Sequence, residues 1–137
     1  MFKRITMIEG SSIDRKIIKK VQEFAKNRKK IMVILDSNHT HDHVVKELQA
    51  YSPLVSKGNY LLVFDTIIED VPEEYSENRS WGINNNPKTA VKQFLKKNDR
   101  FKIDKKIEQK LLFTVAPSGY LKCTKNFSTK LKRSTVS

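Results

Sequence analysis

Cysteine, glycine and proline are all scarce in this sequence of 137 residues. A single cysteine, Cys123, excludes an internal disulfide framework and leaves no thiolate pair to clamp zinc. It fits a reducing compartment, and a cytoplasmic protein is expected. Four glycines and four prolines are too few for a low-complexity chain. The longest apolar runs, Ile31–Leu35 and Tyr60–Phe64, fall far short of a membrane span, and Met1-Phe2-Lys3-Arg4 leads into no apolar signal region. Neither export nor membrane insertion is expected. Acids are also in the minority, 15 against 27 Lys and Arg, which leaves a net charge of +12. Such a charge is the footprint of a polyanion binder. The basic residues are not interleaved with aromatics, however, and no nucleic-acid motif accompanies them, so nucleic acid is a disfavoured partner. A basic polyanion-binding module using Lys16, Lys19, Lys20, Lys29 and Lys30 is the non-enzymatic alternative.

What is present is alternation of strand-like and helix-like segments. Ile5-Thr6-Met7-Ile8-Glu9 reads as a buried strand ended by Gly10-Ser11-Ser12, where either serine can cap a helix. From Ile13 the apolar positions Ile13, Ile17, Val21 and Phe24 recur at helical spacing, with lysines and Arg15 opposite. Ile31–Leu35 has no alternation, the mark of a strand buried on both faces, and it stops at Asp36. A helix from about Thr40 buries Val44, Leu48 and Tyr51, and a second unbroken apolar strand, Tyr60–Phe64, stops at Asp65. This order predicts an α/β fold with a doubly wound, mostly parallel sheet. Function in such sheets gathers at the carboxyl ends of strands, where Gly10, Asp36 and Asp65 fall. Glu69 to Asn86 reads as a long loop over that end, carrying Trp81. Asn86-Pro87 opens a helix to about Lys97. A strand at Phe101–Ile103 and an antiparallel hairpin, Leu111–Val115 turning at Pro117-Ser118-Gly119 into Tyr120–Cys123, complete a domain over 1–123. Residues 124–137 read as a basic, frayed tail.

All three histidines lie in Leu35-Asp36-Ser37-Asn38-His39-Thr40-His41-Asp42-His43. Three metal readings compete. The stretch approaches a His-x-His-x-Asp-His zinc signature but is one residue short between His41 and Asp42, and no histidines lie downstream. His39 and His43, four apart, could pair on zinc with Asp36 or Asp65. The preferred reading brings Asp36 and Asp65, at the ends of adjacent parallel strands, together on Mg²⁺. A divalent cation lowers the pKa of a bound hydroxyl, and His39 is then placed to take its proton. The plainer reading makes Asp36 and Asp65 caps of the next helix and loop. Glu69 and Asp70 are candidate outer ligands, or simply solvated; His41 and His43 are structural or substrate-facing.

Ile8-Glu9-Gly10-Ser11-Ser12, Leu35 to Val44, Tyr60 to Asp70, Trp81-Gly82 with Asn85 to Val91, and Ala116 to Leu121 together resemble the cephalosporin hydroxylase and rhamnosyl O-methyltransferase family. The resemblance implies a Rossmann-like, class I S-adenosylmethionine-dependent methyltransferase fold. It also implies Mg²⁺-assisted methyl transfer to a hydroxyl of a sugar, glycolipid or similar polar metabolite, as in lipid or polysaccharide biosynthesis. In that light Asp36 and Asp65 match the metal carboxylates and Thr66 the adjoining ligand position. His39 falls where related catechol enzymes place a lysine base, and Glu9, Gly10, Ser11 and Ser12 fall on the loop bordering the cofactor's adenine. The family name also carries a hydroxylase reading, with Asp36, His39 and another histidine on Fe(II).

The chain departs from that pattern at the amino-terminal side. No Gly-x-Gly turn can be built from Gly10, Gly58, Gly82 and Gly119, and no acid-ended second strand is present. The resemblance therefore covers only the C-terminal half to two-thirds of the family domain, truncated at the N-terminus. Three outcomes are expected from this: an inactive fragment, half of a split enzyme that needs its missing N-terminal half, or a remnant in which Ile5–Glu9 has closed directly beside Ile31–Leu35. The open edge predicts association, as a homo-oligomer or with the missing half.

Overall fold

The computed structural model describes residues 4–127. Helix α1 (Arg15–Ala25) is followed by β1 (Val33–Leu35), α2 (His41–Tyr51) and β2 (Tyr60–Val63). Then come α3 (Pro87–Lys97), β3 (Phe101–Ile103), α4 (Lys105–Leu111) and β4 (Tyr120–Cys123). Short 3₁₀ turns lie at Ser52–Leu54, Thr66–Asp70 and Glu73–Ser76. No helix among the described residues is long and apolar enough to cross a membrane.

The four strands run in the order β1-β2-β4-β3. Only β1 and β2 are parallel, in the register Val33↔Leu61, Ile34↔Leu62, Leu35↔Val63. β4 runs antiparallel to both β2 and β3. The fold is thus α/β as expected, but the sheet is mixed and not mostly parallel. Leu35, Leu61, Val63, Leu121 and Cys123 share one core with Val44 and Leu48 of α2 and Val91 and Phe94 of α3, and Ile18 and Val21 of α1 pack against it. The three 11-residue helices therefore gather on one sheet face.

Two expected strands do not form. Ile5–Glu9 has no pairing, and Ile5 and Met7 are 82% and 89% exposed. It has not closed beside β1 and pairs with no strand among the described residues. Leu111–Val115 is not the first arm of a hairpin: α4 occupies Lys105–Leu111, and β4 pairs with β2 and β3 instead. β1 is also not buried on both faces, since Ile34 is half exposed. The cap of α1 is Asp14, whose carboxylate accepts from the Lys16 and Ile17 amides, and not Ser11 or Ser12. The helix at Asn86-Pro87 forms as expected, with a capping box between Asn86 and Thr89. Most of the expected tail, from residue 128, lies outside the described residues.

Among the described residues Arg100 is the buried guanidinium, and it had no signal in the hydropathy pattern. It is 8% exposed and donates to the carbonyls of Ser52 (3.0 Å), Val55 (2.9 Å) and Lys125 (3.2 Å), so the charge is spent on three backbone acceptors. A second tie crosses the sheet from β2 to the end of β3: the Tyr60 hydroxyl donates to Asp104 Oδ2 at 2.8 Å. That bond, ahead of the Lys106 amide, holds the Asp104 carboxyl below the usual carboxylate range, and the same bond raises the Tyr60 phenol. A depressed carboxyl stabilises the fold above its unfolded pKa, and the contribution disappears as pH falls through its folded value; the raised phenol contributes below about pH 10 and is lost above it. Tyr60→Phe is expected to return Asp104 toward its ordinary pKa in a carboxyl NMR titration and to flatten the acid limb of stability against pH.

Candidate active site

The site is built from the residues immediately after β1 and β2. Because the two strands are parallel and in register at Leu35↔Val63, the chain leaves both at one end of the sheet. Asp36 comes directly after β1. Phe64 extends the ladder, its amide donating to Leu35 O at 3.0 Å, and Asp65 then turns in a left-handed conformation, φ 54°. A non-glycine residue held there is uncommon and marks a constrained position. His39, between β1 and α2, faces both acids: Nε2 lies 3.0 Å from Asp65 Oδ2 and 3.6 Å from Asp36 Oδ1. One ligand atom from each of the three residues lies within 4.8 Å of the other two. Nε2 itself is shielded from solvent yet makes no aligned hydrogen bond, so the short contact to Asp65 is one of proximity and not of geometry.

A donor set of two carboxylates and an unsatisfied imidazole nitrogen fits a divalent cation, and equally a hydroxyl proton delivered beside one. Thr66 is fully buried next to Asp65, and its hydroxyl donates to Pro117 O at 2.7 Å. The 116–119 turn thus props the site from below. Val63 N donates to Gly119 O at 2.9 Å, and a Cβ on Gly119 would stand 2.1 Å from Val63 O, so only glycine allows this approach.

The other two histidines go elsewhere. The His41 amide donates to Asn85 Oδ1, and its ring bonds Thr89 (2.7 Å) and Gln93 (3.0 Å), which makes it a tie between α2, α3 and the loop before α3. His43 Nε2 lies 3.0 Å from Ser12 Oγ, 3.4 Å from Ser37 Oγ and 3.7 Å from Glu47 Oε1. The zinc pair of His39 with His43 is therefore not assembled, nor is an iron triad of Asp36, His39 and a second histidine. Glu69 accepts from the Asn84 amide and the Asn86 side chain, and Asp70 pairs with Lys88, so both acids secure the loop to α3. That loop reaches over the sheet end as expected: the Trp81 ring meets His39 edge to face at 5.4 Å.

Glu9, Gly10 and Ser11 are exposed, and Ser12 is half-buried. Gly10, at φ 139°, packs so close to Ile17 that a Cβ would lie 2.6 Å from Cδ1. Ser12 belongs to a network missed in the sequence. Ser37 donates to Glu47 Oε1 at 2.7 Å, Tyr51 donates to Ser12 O at 2.5 Å, and Glu47 itself is only 2% exposed. Burial first, and the Glu47 charge second, push the Tyr51 phenol above its ordinary value. The four-residue spacing of His43 and Glu47 was the available signal.

Gly119→Ala is expected to destabilise the fold by about 2–3 kcal/mol through overpacking against Val63 O, read by chemical denaturation. The same variant should disturb Asp65 and Thr66 while leaving the His41 ties intact, visible as chemical-shift changes confined to the sheet end.

The chain matches the model of the rhamnosyl O-methyltransferase/CmcI family over residues 1–124. It is 33% identical over 120 residues to the rhamnosyl O-methyltransferase of Mycobacterium bovis (strain BCG / Pasteur 1173P2) and to that of Mycobacterium tuberculosis (strain ATCC 25618 / H37Rv). Each alignment covers 85% of this chain and 46% of the relative. The chain thus spans less than half the length of the curated relatives it matches. No solved structure matches it at a significant level. By the match over most of its length, the chain belongs to the rhamnosyl O-methyltransferase/CmcI family.

Proposed function

We propose that this chain carries the metal-binding and proton-accepting part of an S-adenosylmethionine-dependent O-methyltransferase whose acceptor is a hydroxyl of a saccharide, glycolipid or similar polar metabolite. The observation that carries the reading is His39 Nε2, shielded from solvent and without an aligned partner, facing two carboxylates at the ends of adjacent parallel strands. Asp36 and Asp65 would hold Mg²⁺, with Thr66 beside them. When bound, the cofactor supplies an electrophilic sulfonium methyl group and the cation lowers the pKa of an acceptor hydroxyl. His39 would accept the acceptor hydroxyl's proton at Nε2, the nitrogen that faces both carboxylates. Trp81 walls His39 on the loop side, and a cavity of about 700 Å³ beyond it is lined by Glu73, Glu74, Glu77, Arg79 and Ser80. A hydroxyl-rich acceptor suits such a polar lining.

The cofactor side is less complete. Glu9, Gly10, Ser11 and Ser12 offer one flank, and the four glycines of the chain form no Gly-rich turn for the opposite flank. Turnover accordingly requires polypeptide beyond these 137 residues, the half-enzyme reading. Two measurements on this chain separate its parts. In calorimetric titration with Mg²⁺, Asp36→Asn and Asp65→Asn should each weaken binding about tenfold or more, ~1.4 kcal/mol. His39→Ala should leave that affinity within about threefold, well under the ~1.4 kcal/mol of a tenfold loss; an equal loss would make His39 a ligand and remove it as the base. Titration with S-adenosylmethionine should give no saturable heat for this chain alone, and tight binding would overturn the half-enzyme reading.

A further inference from the structure

An apolar surface that the methyl-transfer reading leaves unused stands at the end of α4. Leu112 and Phe113 are 82% and 92% exposed, and Leu111 and Val115 beside them are about half exposed. Apolar side chains gathered this closely in water mark a contact surface. The backbone holds them out. Leu112 ends α4 at φ 63° and ψ −50°, and the Phe113 amide donates to Leu111 O at 2.7 Å, a three-residue turn of the rare, strained kind. A leucine at positive φ is a genuine outlier. The foot of the tip is fastened to the site end of the sheet: Val115 O accepts from Ile67 N at 3.2 Å, and Glu108 accepts from the Ser118 amide at 2.7 Å. Ile67 follows Thr66, whose hydroxyl the same 116–119 turn accepts. The tip rises on the β4–β3 side, with β2 between it and β1. Around it Lys105, Lys106 and Lys110 of α4 are exposed, while Glu108 is engaged by Ser118 and Lys105.

We propose that the Leu111–Phe113 tip seats this end of the chain on an anionic lipid surface, with Leu112 and Phe113 at the acyl boundary and the α4 lysines among the headgroups. A protruding apolar tip finds depth in a lipid surface without a matching groove, and each lysine near an anionic leaflet adds attraction. Charge selects this occupant. A second copy would bring the lysines of two tips together, whereas anionic headgroups neutralise them. Glu73, Glu74 and Glu77, on the loop before α3, are repelled by the same surface, which confines the contact to the α4 side. The contact is peripheral and needs no spanning helix. The inference concerns a surface outside the corner where Asp36, His39 and Asp65 meet, and it stands apart from the methyl-transfer reading.

The test is co-sedimentation of the full 137-residue chain with vesicles of equal parts phosphatidylglycerol and phosphatidylcholine. A net charge of +12 by itself draws a protein to such vesicles, so the deciding variants leave the charge unchanged. Phe113→Ser and Leu112→Asn each remove an exposed apolar side chain, and asparagine suits the positive φ. Each should weaken vesicle binding about tenfold or more while the denaturation midpoint stays where it is. Changing Lys106 and Lys110 together to glutamine should weaken binding as well, an effect that added salt reproduces. Vesicles of phosphatidylcholine alone should bind about tenfold more weakly than the mixture. Mg²⁺ calorimetry reports on the Asp36–Asp65 corner separately, so either reading can fail while the other is measured. Vesicle binding unchanged in both Phe113→Ser and Leu112→Asn, or equal affinity for the two kinds of vesicle, would overturn the proposal. So would a chain that ignores vesicles but shows a concentration-dependent mass abolished by Phe113→Ser, which assigns the tip to a second copy.

Discussion

The parallel pairing of β1 with β2 is the constraint on which the site depends. Parallel strands in register must end together, and the residues just past them must share one end of the sheet. Leu35↔Val63 fixes that end, and the Phe64 amide to Leu35 O carries the ladder one residue further before Asp65 turns away. Two carboxylates are thereby held within 4.8 Å of His39 and each other. Their repulsion is on the order of 1–3 kcal/mol between water-like and surface-like dielectrics. The fold keeps them together all the same, with Asp65 in a left-handed conformation that marks a constrained position.

One short segment sends three histidines to three jobs because a helix begins in its middle. His39 precedes α2 and is free to lie across the sheet end. His41 and His43 sit two apart on α2, about 200° around its axis, and so reach opposite neighbours. His41 meets α3 and the loop before it, while His43 meets Ser12 beyond α1 and shares its face with Glu47. The His41 side fastens the Trp81 loop indirectly, through Asn85, and Glu69 and Asp70 fasten it again at the start of α3. The wall over His39 is therefore anchored by polar ties to α2 and α3, both of which pack into the main core.

Local signals were legible where they agreed with tertiary context. The Asn86-Pro87 start of α3, the apolar face of α2 and the two strands ending in Asp36 and Asp65 could be read directly, and the convergence of those acids with His39 is a consequence of parallel pairing. Sequence reasoning misplaced Ile5–Glu9 because an apolar run specifies strand character but not the neighbour it needs. It misread Leu111–Val115 because Lys105-Lys106-Ile107-Glu108 opens a short helix whose Asp104 cap was not weighed. Arg100 and Glu47 were invisible for another reason. Their burial rests on carbonyls and hydroxyls distant in the sequence, and hydropathy counts a charge as exposed until its partners are known.

Among the described residues β1 pairs on one side only, with β2, and Met32 and Ile34 beside its other edge are half exposed. The corner where Asp36, His39 and Asp65 meet is held by contacts among the described residues. Asp36 and Asp65 are fixed by β1 against β2, Thr66 by the 116–119 turn, and His39 by Trp81 and the start of α2. Of these supports, β1, β2 and α2 pack into the core they share with β4 and α3. The geometry at this end of the sheet therefore follows from the parallel pairing of β1 with β2 and from the core that α2 and α3 lay over them.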